Sequence, residues 1–153
     1  MRGDFSMDFP YEGKYMGEFK ERQYDAANQL YSAMGIARED KVARNEAFLK
    51  NFSFFDAPHA AFLFIPEGFG IREAADVGMY AQNLMLAMTA FGVASCPQTA
   101  LGFHADMVRK LLSVPGDMKL LFGISFGYED KTVLANRARV GRAPIDKVVA
   151  FHR

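Results

Sequence analysis

From Val77 to Phe103 the chain carries no formally charged side chain, and this stretch limits the folds open to it. A membrane span needs ~20 continuous apolar residues, with basic residues in the flanking loops. Gln82, Asn83, Thr89, Gly92, Ser95 and Pro97 interrupt the run, and no basic cluster borders it. The remaining solution is a helix enclosed by protein. Arg72 to Phe91 reads as that central core helix, apolar almost all round from Val77 and closed by Gly92. Val93 to Cys96 then reads as a short strand that ends at Pro97.

The rest of the chain falls into short elements. Tyr15 to Met34 reads as a helix with Ala27, Leu30, Tyr31 and Met34 on one face and Gly35 as its stop. A second helix is expected over about Glu39 to Lys50, with Val42, Ala47 and Phe48 inward. Phe52 to Pro58 is a turn dense in aromatics. His59 to Ile65 is an apolar run between two prolines, hence a buried strand. Gly68-Phe69-Gly70 breaks the chain. Ala105 to Leu112 is a small amphipathic helix, and Met118 to Phe126 a second apolar strand.

Beyond Glu129 the chain turns polar and basic, and Pro144 to Val149 suits an edge strand. This is an α+β layout. The single domain spans 1–153, with a helical cap over 15–52 and the core and tail over 59–153. The Arg-rich tail is too long and irregular to pack only on its own subunit, and suits a partner or a ligand.

Composition excludes several function classes. Lys plus Arg equals Asp plus Glu at 18 each, so there is no electrostatic case for nucleic acid or an anionic membrane. A single Cys permits no internal disulfide and no Cys-based zinc cluster, and points to a reducing, cytoplasmic setting. His59, His104 and His152 are far apart without metal-ligand spacing, so no metal site is expected. Arg2-Gly3-Asp4 spells an adhesion tripeptide by coincidence of letters.

Nucleophile patterns fare no better. Ser125 fits the letters of a Gly-x-Ser-x-Gly elbow, but polar tail residues follow where a helix is required, so it reads as a strand residue. Cys96, before Pro97, reads as a half-buried structural thiol. Gly68-Phe69-Gly70 lacks the third Gly of a dinucleotide loop, and Glu67 beside it repels phosphate.

Two segments remain. Cys96-Pro97-Gln98-Thr99-Ala100-Leu101-Gly102 is short and uncharged, and is either a simple turn or a loop offering backbone N–H groups to a flat heterocycle. Asn136 to Pro144 holds Arg137, Arg139 and Arg142, and is either a solvated basic tail or a bidentate grip on phosphate.

In this order, these segments resemble the FMN-dependent nitroreductase family. So do Gly78-Met79-Tyr80-Ala81-Gln82-Asn83-Leu84-Met85-Leu86-Ala87-Met88, like that family's long helix, and Phe54-Phe55-Asp56-Ala57-Pro58-His59-Ala60 before it. Gly123-Ile124-Ser125-Phe126-Gly127-Tyr128 and the Asn-x-x-Arg-x-x-Arg-x-Pro tail resemble its C-terminal signature. The likeness runs from about Tyr15 onward and is nearest the nitrobenzoate or nitroaromatic reductase branch.

The resemblance implies an α+β sandwich, with a mixed, mostly antiparallel sheet flanked by helices and a C-terminal tail extending onto a homodimer partner. It implies FMN as cofactor, NADH or NADPH as co-substrate, and a nitroaromatic or quinone acceptor reduced by ping-pong hydride transfer through flavin N5. The flavin carries that chemistry, so no catalytic side chain is expected. By position, Pro97, Gln98 and Thr99 lie along the ring, with the Thr99 N–H at N5, and Arg142 and Arg139 hold the phosphate. Tyr24, Tyr31, Phe48, Phe54 and Phe55 are candidates to stack a flat substrate, with core packing expected for most. The family's opening Arg-rich segment and Gln-Pro-Trp loop have no counterpart in this Trp-free chain. About the first third of the family pattern is thus expected to be missing, and the alternative reading is a non-catalytic remnant with weak or no flavin binding.

Overall fold

Strand β3, Met118–Gly127, is the spine of the structure. β1 (His59–Pro66) and β2 (Ala94–Gln98) flank it in the order β1-β3-β2, both antiparallel to it. The computed structural model describes residues 5–11 and 13–152, so the Arg2-Gly3-Asp4 tripeptide lies outside the described residues. β3 buries Leu120 and Ile124 completely, and Leu120 is covered by Ala105 and Val108 of the Ala105–Leu112 helix packed on the sheet face. Ser125 lies within β3, opposite Ala60 and Cys96, as a strand residue should.

The helices are α1 (Gly17–Ala33), α2 (Lys41–Leu49), α3 (Ile71–Ala90) and α4 (Ala105–Leu112). α3 lies against β2 and β1. It closes at Phe91, with Gly92 at φ +75°, a left-handed position that favours glycine. Ala105 and Val108 of α4 form a core cluster with Leu120, backed by Phe62 and Phe64. Ser6 bridges to His104, and its Oγ accepts from the Asp106 N–H at 3.3 Å, capping α4 from a distant segment.

Three expectations need correction. α3 is not enclosed within this chain: of its residues only Ala81 is buried, and Met79, Tyr80 and Leu86 are exposed. Two sheet strands can cover only one side of a helix. Val42 and Phe48 of α2, expected inward, are both exposed, at 70% and 41%. The run after Pro144 forms a 3-10 turn over Ile145–Lys147, not a strand, and among the described residues no strand pairs with it.

The chain divides into two compact units. One comprises Met1–Glu12 and Asn45–Glu129, the other Gly13–Arg44 and Asp130–Arg153. The first holds the sheet, α3 and α4. In the second, α1 packs on a 3-10 turn at Leu134–Arg137, and the Arg44 guanidinium sits 4.8 Å from the Tyr31 ring centroid. Among the described residues no helix is long and apolar enough to cross a membrane.

Candidate functional site

In the sheet unit, the pairing of β2 with β3 ends at Gln98↔Gly123. A Cβ on Gly123 would stand 2.5 Å from Leu101 Cδ1 and 3.2 Å from the Ala61 carbonyl oxygen. Glycine there lets the 3-10 turn Thr99–Phe103 press on the sheet, burying Ala100, Leu101 and Gly102. Pro97 and Gln98, read as loop residues, are the last two residues of β2. Proline is tolerated because β2 is an edge strand of this sheet.

The side chain of Gln98 turns inward and is 3% exposed. Its Nε2 donates to the Asn51 carbonyl at 3.0 Å and to Asn51 Oδ1 at 3.1 Å. Its Oε1 is buried with no hydrogen-bond partner. Thr99 is exposed and opens the turn, where the first N–H groups have no intrahelical acceptor. This segment therefore offers a ligand backbone donors on an uncharged surface. Cys96 is exposed and not half-buried, because an edge strand leaves one side open. Partial desolvation still raises its thiol pKa, which disfavours the nucleophilic thiolate.

Arg139 and Arg142 belong to the other unit. Arg142 Nη1 donates to the carbonyls of Val140 at 3.0 Å and Gly141 at 3.2 Å. Arg139 Nη1 donates to the Ala138 carbonyl at 3.0 Å and to that of Asn136. Arg142 lines an open cleft of about 630 Å³ with Arg22, Asp25, Gly141 and Val148. Arg22 and Arg142 line this space together with Asp25, so its lining carries both signs of charge. Arg22 is held by an ion pair with Glu18 at 3.0 Å.

The candidate aromatics divide. Phe48 packs on Phe52 and Phe103, and Phe54 on Phe62. Tyr24 lies beneath Lys20 and Tyr31 beneath Arg44, while Phe55 is exposed. Sequence reasoning missed Asn51, which no local pattern links to a partner 47 positions away, and Arg22, whose only signal was its place in the helical cap. Among the described residues no group of His, Cys, Asp and Glu is arranged to hold a metal ion.

The sequence pattern of the Nitroreductase family matches residues 12–128. Nitroreductase NfnB of Mycolicibacterium smegmatis is 47% identical over 97% of this chain and 63% of its own length. The 4-nitrobenzoate reductase of a Nocardioides species is 32% identical over 87% of this chain and 54% of its own. A crystal structure of the FMN-dependent nitroreductase NfnB from Mycobacterium smegmatis in complex with NADPH superposes with a TM-score of 0.92, covering 97% of this chain and 67% of that one. This chain therefore belongs to the nitroreductase family and has its α+β fold. It spans between half and two thirds of the length of these two curated relatives.

Proposed function

We propose that this chain acts as, or within, an NADPH- or NADH-dependent FMN reductase of nitroaromatics or quinones, working as a homodimer in the cytoplasm. The observation that supports this most is 47% identity across 97% of the chain to a relative whose structure is described as FMN-dependent and holding NADPH.

The donors present suit FMN. The end of β2 is uncharged, as a flat ring requires, and Thr99 is exposed where a backbone N–H is free to donate. Pro97 and the backbone of Gln98 would border the ring. Arg142 and Arg139 would hold the phosphate, the former lining a cleft that Arg22 and Asp25 also line. When bound, FMN supplies the hydride chemistry, at N5, in two half-reactions that use one pocket in turn. The chain's part is to bind, orient and exclude water, so no side chain need serve as acid or base.

The homodimer reading rests on α3. Tyr80 and Leu86 are 59% and 58% exposed, with Phe91 at its end, and a large apolar face marks an interaction surface. The test is titration of FMN into the purified chain, followed by NADPH. A yellow complex bleached by NADPH supports the reading. Protein that stays colourless overturns it, and a yellow complex that NADPH does not bleach overturns the reductase step.

A further inference from the structure

We infer that Asn51 is a positioning residue for the backbone donor at Thr99, an inference that rests on the reading above. Three observations meet at this place. The Gln98 amide nitrogen has two acceptors, and both are on Asn51: its carbonyl and Oδ1. Turning the amide over would set Oε1 against two acceptors, so this orientation is the one that pairs. Oε1 meanwhile stays buried and unpaired, an unfavourable state that an unconstrained side chain would relieve by rotating toward water.

Just beyond Asn51, three successive non-glycine residues adopt left-handed backbone: Phe54 at φ +57°, Phe55 at +52° and Asp56 at +63°. Such conformations persist only where the surroundings impose them. Asn51 is itself tied down, its Nδ2 donating to the Phe48 carbonyl at 2.8 Å.

The consequence falls on the next peptide. Gln98 is the last ladder partner of β2, so past this residue no further pairing fixes the chain. Anchoring the Gln98 side chain to Asn51 holds that peptide and aims the Thr99 N–H. Asn51 touches neither cofactor nor substrate in this reading; it acts through Gln98.

The test compares Asn51→Ala and Asn51→Asp in the full chain with FMN as probe, reading FMN affinity by fluorescence quenching, the midpoint potential of the bound flavin, and the thermal midpoint. Asp keeps the Oδ1 acceptor for Gln98 and loses the Phe48 bond, whereas Ala loses both. Asn51→Ala should bind FMN about tenfold more weakly, one hydrogen bond's worth, and shift the potential to more negative values. Asn51→Asp should restore both. If Asn51→Ala fails to fold, Asn51→Ser, too short to reach Gln98, takes its place with the same expectation. Loss of thermal stability with affinity and potential unchanged overturns the inference and leaves the functional reading intact. Failure of the unsubstituted chain to bind FMN overturns both.

Discussion

Asp8 and Arg109 stand 101 positions apart in sequence and form a largely buried ion pair, their side chains 9% and 11% exposed. The same Asp8 Oδ2 accepts from the Leu120 N–H at 2.8 Å, and Arg109 also donates to the Met118 carbonyl at 3.2 Å. One carboxylate thus ties the N-terminal segment to α4 and to the central strand. Asp8→Ala would leave Arg109 with Asp106 and the Met118 carbonyl and would orphan the Leu120 N–H. Leaving one buried backbone donor unsatisfied and removing one of two carboxylates from Arg109 costs about 1–3 kcal/mol, which should appear as a lowered midpoint in urea unfolding. Asp8→Asn, which keeps an acceptor for Leu120, should lose less.

Gly123 has no room for a side chain. Gly123→Ala forces its methyl group into Leu101 and the Ala61 carbonyl, so overpacking of about 1–3 kcal/mol is expected by chemical denaturation. Gly141→Ala, with nothing within 4 Å of its Cβ position, should leave stability unchanged.

Glu73 governs acid behaviour at the start of α3. Its Oε2 accepts from the Gly70 N–H at 2.8 Å, and the backbone donors at Gly70 and Glu73 hold its pKa below the usual carboxylate range. A pKa depressed in the folded state gives stability that is fully present above the unfolded value and is lost as pH falls through the folded one. Glu73→Gln should therefore flatten the stability profile below about pH 5 and change it little at neutral pH, as read from urea midpoints across pH.

Arg142→Ala should weaken FMN binding by roughly ten- to a hundredfold, the range for one charge-assisted contact, whereas Lys131→Ala should not. Equal affinities in the two variants would count against the phosphate assignment.

Leu86→Asp should convert a dimer to monomers in analytical ultracentrifugation, because a carboxylate on the exposed face of α3 cannot be buried unpaired at an interface. A monomeric unsubstituted chain would remove the basis for this expectation.

The readings that held were those with local causes. α1, α4, β1 and β3 fall within about two residues of the boundaries drawn from periodicity and from Gly and Pro punctuation. Ser125 reads as a strand residue because polar tail residues follow where the elbow requires a helix. At the candidate site, the uncharged run around Thr99 is legible, because charge is read directly from the residue types. The inward turn of Gln98 was not, because it depends on Asn51, and the ion pair of Asp8 with Arg109 was equally hidden.

The sequence by itself determined the element order, the α+β class and the neutral end of β2, since periodicity, chain breakers and charge act over a few residues. The tertiary structure alone decided that α3 keeps a bare face, that Ile145–Lys147 turns without pairing, and that Asn51 holds Gln98. Each of these depends on what lies across space from a residue, and burial, strand pairing and long-range hydrogen bonds exist only once distant segments have been brought together.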